Sequence, residues 1–270
     1  MPTPGSLQAN LGIENWERVA GGCIHDCYRV SIAGTTRFLK TNSEDYRDAF
    51  AAEADGLAAL RAAGMRAPEA LSHGTAEGRA YLLLENLDLD GRKDFGALGR
   101  MLAAAHRSRP GPRFGWQHDN YIGATPQANG WCNDWQEFWL ERRLRPQIEL
   151  ARRNGFDLAL PEFSVLNGHE PQPALLHGDL WSGNAGFTAE GPVVFDPAVY
   201  YGDREADLAM TELFGGFPRE FYLAYDEAWP LDPGYEHRRP VYNLYHLLNH
   251  LNLFGGGYLG QVESALRLLR

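Results

Sequence analysis

The chain has 270 residues, is 44% hydrophobic and 22% charged, and carries a formal charge of −10. This length suits one large domain or two close lobes, and the composition is that of a globular protein. The acidity argues against a nucleic-acid binder, which needs a basic face, and apolar runs such as Ala80–Leu84 stop far short of the roughly 18 residues that a membrane helix needs.

Cys23, Cys27 and Cys132 are the only cysteines. Such sparse usage points to a reducing compartment. The Cys23–Cys27 spacing has no second pair to complete a zinc site. Met1-Pro2-Thr3-Pro4-Gly5 lacks the basic and apolar segments of a signal peptide, so a cytoplasmic protein is expected.

In chain order, Trp16-Glu17-Arg18-Val19-Ala20 leads into Gly21-Gly22-Cys23-Ile24. Residues 27–32 and 37–40 read as strands around an Ala33-Gly34-Thr35 turn. A helix is predicted from near Glu44 to Ala63, with Gly64 as its stop. Tyr46, Phe50, Leu57 and Leu60 recur at helical spacing and mark its buried stripe. Glu53 falls on the same stripe. A carboxylate facing a core is costly unless a cation meets it, and Lys40 at the end of the preceding strand is the nearest candidate. The alternative is that Glu53 sits at the stripe's edge and reaches water.

Residues 80–84 read as a buried strand, followed by the polar Glu85-Asn86. A helix is expected from about Asp94 to Arg107, with Phe95, Leu98, Leu102 and Ala105 on one face and His106 packed in the core. Residues 108–131 are rich in Gly, Pro and aromatics and predict an ordered irregular loop. Asn133-Asp134-Trp135-Gln136 resembles an N-cap with Gln at the third helical position. The helix it opens should break or kink near Pro146. Trp131, Trp135 and Trp139 read as core, and helices dominate after Asp203.

The densest chemistry lies in His177-Gly178-Asp179-Leu180-Trp181-Ser182-Gly183-Asn184, with Asp196 beyond it. Residues 185–187 can run out as a strand, 188–191 can turn, and 192–195 can run back. An antiparallel return sets Asn184 and Asp196 side by side at the open end. Two oxygen-bearing side chains brought together this way suit Mg²⁺, which takes few protein ligands plus phosphate oxygens. Asp179 stands beside them as a candidate general base for a substrate hydroxyl. Lys40, positioned by Glu53, can pair with the α- and β-phosphates of a nucleotide. Gly22 lets the backbone approach that nucleotide closely. Glu85, Asn86 and Leu87 form the connection between lobes, where backbone groups can bond adenine.

Other polar residues have two readings. His177 reads as a buttress of the 177–184 loop. Trp181 can pack under a sugar or belong to the core. Arg204 and Glu205 can touch substrate or pair with each other, and Asp203 lies beside them. Asn243, His246 and His250 share a helical face, which suits a polar wall of the substrate cleft or satisfied interior side chains better than a metal site. Trp181, Asp203, Arg204 and His250 are thus the candidate substrate contacts. Cys23, in the candidate nucleotide loop, is a position where oxidation could block ATP.

The order Lys40, Glu53, Asp179, Asn184, Asp196 resembles the protein-kinase-like fold in its small-molecule branch, related to aminoglycoside phosphotransferases. The closer likeness is to the fructosamine/ketosamine-3-kinase family. It is carried by Gly21 to Ile24, Leu82 to Glu85, Phe114-Gly115-Trp116 with Asp119-Asn120, Pro126-Gln127, and 175–184. It continues through 196–210, 213–217 and 244–250. The resemblance implies an α+β, two-lobed protein-kinase-like fold. Residues 1–86 would be a small β-rich nucleotide-binding lobe with one helix, and residues 87–270 a larger, mainly helical catalytic and substrate-binding lobe. It implies that Asp207 anchors the 177–184 backbone. It also implies ATP- and Mg²⁺-dependent phosphorylation of the C3 hydroxyl of a ketosamine, in free or protein-linked form. A ribulosamine, erythrulosamine or fructosamine adduct would fit, and phosphate loss would then release the amine, which is deglycation. The alternatives are a kinase of another hydroxylated amine, aminoglycoside- or choline-like, and a nucleotide-binding sensor without turnover.

Overall fold

A five-stranded antiparallel sheet is built from β1 (Ile13–Val19), β2 (Asp26–Ile32), β3 (Thr35–Ser43), β4 (Ala70–Ala76) and β5 (Arg79–Glu85), in the order β1-β2-β3-β5-β4. The computed structural model describes residues 5–19, 24–108, 110–162 and 164–269. Gly22 and Cys23, expected at the nucleotide loop, lie outside the described residues. The apolar run of β5 has a simple cause. Leu82 and Leu84 join the core under α2 (Arg47–Ala62), while Leu83 joins the opposite face. There α1 (Gly5–Leu11) lays Leu7 beside Ile13, Tyr28, Val30 and Leu39. A central strand covered on both faces alternates between two cores and has no polar side.

The helix predicted after β3 forms with one 3₁₀ turn at Glu44–Tyr46 before α2 begins. Phe50, Leu57 and Leu60 are buried as the stripe requires. Gly64, at φ +92°, supplies the left-handed turn that ends it. The short α1 is a second helix beside the sheet, and β4 is an edge strand that the sequence reading did not separate.

The larger part begins with α3 (Phe95–Ser108) and the small hairpin β6 (Asn120–Ile122) and β7 (Thr125–Gln127). Then α4 (Trp135–Trp139) passes through a π-helical turn at Leu140–Leu144 into α5 (Arg145–Arg153). The cap is Asp134, whose side chain accepts from Glu137 N at 2.6 Å, one residue later than the expected Asn133–Gln136 pattern. Pro146 does not break the helix. It falls in the first turn of α5, where its missing N–H costs least, just after the widened turn. Strands β8 (Ala174–Leu176), β9 (Ala185–Thr188), β10 (Gly191–Val194) and β11 (Tyr200–Gly202) form two antiparallel pairs, β9 with β10 and β8 with β11. Helices α6 (Arg204–Glu212), α7 (Arg219–Ala228), α8 (Tyr235–Phe254) and α9 (Leu259–Leu268) complete the chain.

The segment expected to be irregular is pinned by buried polar contacts as well as by Phe114 and Ile122 in the core. Asn120 Nδ2 donates to Val199 O at 2.8 Å, and Gln127 Nε2 donates to Asn120 Oδ1 at 2.8 Å. Asn129 and Arg143 extend the chain of bonds, and Tyr245 Oη donates to Gln127 Oε1 at 2.7 Å. These contacts tie α8 to the strand that follows Asp196. A core cluster spans both parts. Phe50, Leu57 and Leu60 of α2 pack in it with Leu98 and Leu102 of α3, and with Leu175, Val199 and Phe221.

Candidate active site

The hairpin β9–β10 builds the predicted corner. Ala185 pairs with Val194, and Phe195 N donates to Asn184 O at 3.1 Å, so Asn184 and Asp196 leave the open end from adjacent strands. Asp196 holds φ +58°, the left-handed region that a residue with a Cβ seldom adopts. That turn aims its carboxylate at Lys40 Nζ, which also donates to Glu53 Oε1 at 2.6 Å. The expected pairing of Glu53 with Lys40 is therefore present, and it includes Asp196.

Lys40 is buried, Glu53 is mostly covered, and Asp196 is half-exposed. Burial alone would lower the lysine pKa, but the charges of Asp196 and Glu53 overcome it and keep the ammonium fully protonated. Burial raises Glu53, with Lys40 opposing. For Asp196 burial also works against charge, yet the adjacent ammonium holds the carboxyl below its usual range.

The 177–184 loop is fixed from beneath. Asp207, in the first turns of α6, accepts His177 N at 2.7 Å and Gly178 N at 2.8 Å. His106 Nε2, from α3, donates to the same carboxylate at 3.1 Å, so His106 is a core residue with a partner. Burial disfavours charge on Asp207, but the bond from His106 and the nearby imidazoles outweigh it and lower its pKa. Gly178 is required here. Its φ is +81°, and a Cβ would stand 2.0 Å from Ala198 O. The buried His177 ring spans the loop, with Nε2 donating to Phe195 O at 3.0 Å and Nδ1 accepting Asp179 N at 3.3 Å. Both nitrogens are thus occupied in the neutral form, which burial favours by lowering the pKa.

Asp179 faces the corner. Its Oδ2 accepts Asn184 Nδ2 at 3.2 Å, and its backbone O accepts the same amide at 2.8 Å. Burial raises its pKa to about 7, with Asp196 and Asp207 adding to the rise and Asn184 opposing it. A carboxylate poised near neutrality suits a general base. Because Asn184 turns its amide nitrogen to Asp179, its Oδ1 makes no hydrogen bond among the described residues. That oxygen and the Asp196 carboxylate are hard donors that fit Mg²⁺.

The remaining expected residues divide. At the end of β5 the Glu85 carboxylate takes Arg66 at 2.6 and 2.9 Å, and Glu85 N donates to Glu69 O. The side chain and N–H of Glu85 are therefore occupied away from a nucleotide. The N–H groups of Asn86 and Leu87 are left without a partner among the described residues. Trp181 is half-buried and lies edge-on to Phe214, with ring centroids 6.5 Å apart. Phe214 (φ +53°) in turn lies tilted against His250 at 4.4 Å and edge-on to Tyr258 at 6.1 Å, an aromatic group beside the loop.

Asp203 and Arg204 are a correction. Asp203 caps α6, accepting Glu205 N, His169 Nε2 and Tyr242 Oη. Arg204 is buried against the Trp229 ring and donates to the carbonyls of Trp229 and Pro230. Glu205 pairs with Arg238 at 2.6 and 2.7 Å, not with Arg204. Asp203 and Arg204 are buried and direct their polar atoms to partners inside the fold, against the substrate contacts expected of them. His169, Asp203 and Glu205 lie close enough to suggest a metal cluster, but Arg238 already supplies the positive charge. His246 lies nearer the base than the expected His250. Its Nδ1 is 3.8 Å from Asp179 Oδ1, while His250 Nδ1 donates to His246 O. Helical spacing put both on one face, but it could not say which turn met Asp179.

A five-stranded sheet backed by one long helix, a helical lobe, and a lysine–glutamate pair meeting an Asp–Asn–Asp corner define a protein-kinase-like fold. Solved structures agree. A candidate fructosamine-3-kinase from Haemophilus somnus superposes with a TM-score of 0.88 at 30% identity, covering 98% of this chain and 96% of that one. The aminoglycoside phosphotransferase APH(4)-Ia, solved with ADP and hygromycin B, superposes with a TM-score of 0.61 at 14% identity, over 98% of this chain and 99% of that one, a likeness of fold alone. The family model described as fructosamine kinase matches residues 5–270. A probable ketoamine kinase from Synechocystis is 46% identical over 94% of this chain and 90% of the relative. The chain belongs to the fructosamine kinase family.

Proposed function

We propose that this chain transfers the γ-phosphoryl group of ATP to the C3 hydroxyl of a ketosamine, the rearranged adduct of a sugar and an amine. The observation that carries the reading is the meeting of Lys40, Glu53 and Asp196 in one contact group beside Asp179 and Asn184. Family membership supports the acceptor class. Asp179 takes the proton of the attacking hydroxyl. Lys40, held by Glu53, pairs with the α- and β-phosphates. Asn184 and Asp196 are the residues that would hold Mg²⁺, which supplies charge neutralisation at the transferring phosphate. The N–H groups of Asn86 and Leu87 are free to bond adenine at the connection. On this reading residues 1–86 bind nucleotide and 87–270 carry the base and the acceptor site.

Phosphate on C3 is a better leaving group than hydroxide. Enolisation between C1 and C2 expels it and frees the amine, so the reaction serves deglycation, in the cytoplasm on this reading. The test is ATP consumption against ribulosamine, erythrulosamine, fructosamine, an aminoglycoside and choline. Turnover confined to ketosamines, with the phosphate on C3, supports the proposal. Turnover on the aminoglycoside or choline alone rejects it.

A further inference from the structure

Among the described residues, four buried side-chain polar atoms lack a hydrogen-bond partner: Thr125 Oγ1, Arg143 Nε, Asn243 Oδ1 and His246 Nδ1. Two of the four lie one turn apart on a single face of α8. An unpaired buried polar atom costs about 1–3 kcal/mol, so a face that keeps two of them invites a polar ligand. His246 is 2% exposed, and its Nδ1 looks toward Asp179 Oδ1 across 3.8 Å. That gap is too wide for a direct bond. An oxygen seated off the line between the two atoms would lie about 2.8 Å from each, an ordinary hydrogen-bond length. The other Asp179 oxygen is already engaged by Asn184.

We infer that His246 positions the acceptor: its Nδ1–H donates to the attacking hydroxyl oxygen while that hydroxyl donates its proton to Asp179 Oδ1. This deepens the proposed kinase reading and rests on it. The hydroxyl has one proton and two lone pairs. With one lone pair held by His246 and the proton aimed at Asp179, the second lone pair is left to face the γ-phosphorus. In the transfer step the O–H proton passes to Asp179. The hydroxyl oxygen forms the new O–P bond, and the bond from the γ-phosphorus to the β,γ-bridging oxygen breaks, so ADP leaves. His246 loses no proton. It serves as a neutral donor, consistent with burial and the neighbouring His250, which lower its pKa to about 3. The half-buried Asn243, one turn earlier, extends the polar stripe with an acceptor oxygen suited to another hydroxyl of a polyol.

Two substitutions separate the role from mere packing. His246→Leu removes the donor, whereas His246→Asn keeps an N–H close to the Nδ1 position. His246→Leu should lower kcat/KM for the best ketosamine of the panel by about 10- to 100-fold, with KM for ATP unchanged, and His246→Asn should recover most of the loss. In the wild type, the ¹⁵N resonance of His246 Nδ1 should shift when ketosamine is added to protein saturated with a non-transferable ATP analogue. That readout decides the matter should His246→Leu fail to fold. A His246→Leu protein with wild-type kcat/KM, or an unmoved Nδ1 resonance at saturating ketosamine, overturns the assignment of His246 alone. A wild-type protein that phosphorylates no member of the panel overturns the kinase reading and His246 with it.

Discussion

Replacing Asp179 by Asn should stabilise the fold while removing its chemistry. The carboxyl pKa rises from 3.8 to about 7 because it is buried and faces Asp196 and Asp207. A raised carboxylate pKa means that the folded state binds the proton more tightly than the unfolded chain does. The resulting cost is absent below pH 3.8, grows as pH climbs, and is complete above about 7. At about 1.36 kcal/mol per pH unit, the full cost is at most about 4 kcal/mol. Asn is nearly isosteric, carries no charge, and can still accept from Asn184. The Tm of Asp179→Asn should therefore match the wild type near pH 4 and exceed it by roughly 8 °C at pH 8, at about 2 °C per kcal/mol for a chain of this size. Over the same range wild-type kcat/KM should climb through pH 7 as the base ionises. The variant should run at least about 100-fold slower while still binding ATP. Differential scanning fluorimetry at half-unit pH steps reads the first arm, and coupled ADP release reads the second. A Tm difference that stays flat from pH 4.5 to 8 would refute the electrostatic argument. Undiminished turnover would refute the base.

Further outcomes follow from the same geometry. Asp196→Asn should raise the Mg²⁺ concentration needed for half-maximal turnover, because the two proposed ligand positions would then offer only neutral amide oxygens; an unaltered Mg²⁺ titration would count against the ligand role. Asp207→Ala strips the acceptor from the N–H groups of His177 and Gly178 and from His106. It should cost about 3–9 kcal/mol in urea unfolding, at about 1–3 kcal/mol per stranded donor, and a loss below 1 kcal/mol would show that water replaces the carboxylate. Gly99→Ala on α3 would set a Cβ 2.3 Å from Phe221 O, so α3 and α7 must part. The same unfolding assay should show about 1–3 kcal/mol lost, and a neutral result would mean that the helices separate freely.

Much of the site could be read from residue order because its logic is local. Glu53 betrayed its partner by lying on an apolar stripe, and the 185–195 hairpin was written in its turn residues. What escaped was decided at a distance. Strand β4 reads Ala-Leu-Ser-His-Gly-Thr-Ala and has no apolar alternation, so only its pairing with β5 makes it a strand. The β6–β7 hairpin holds a Pro and lies within a stretch that looks irregular, because side-chain amides and a single buried Ile122 secure it, without an apolar alternation to read. The N-cap was misjudged by one residue where Asn and Asp stand together and either could cap. Asp203 and Arg204 looked available because the bonds that His169 and Tyr242 give Asp203 from 34 and 39 residues away, and the two carbonyls past α7 that take Arg204, cannot be foreseen from spacing.

Helix α2 shares its apolar underside with α3 and with Val199, and Gly56 brings it so close that an added Cβ would stand 3.2 Å from Pro197. Swinging this helix outward would open a void beneath Phe50, Leu57 and Leu60, at a price of several kcal/mol. Glu53 is therefore a fixture, locked onto Lys40 before any nucleotide arrives. On the proposed kinase reading, a catalyst assembled in this way has no throttle at that helix, and its output should track the supply of its acceptor and the number of copies present.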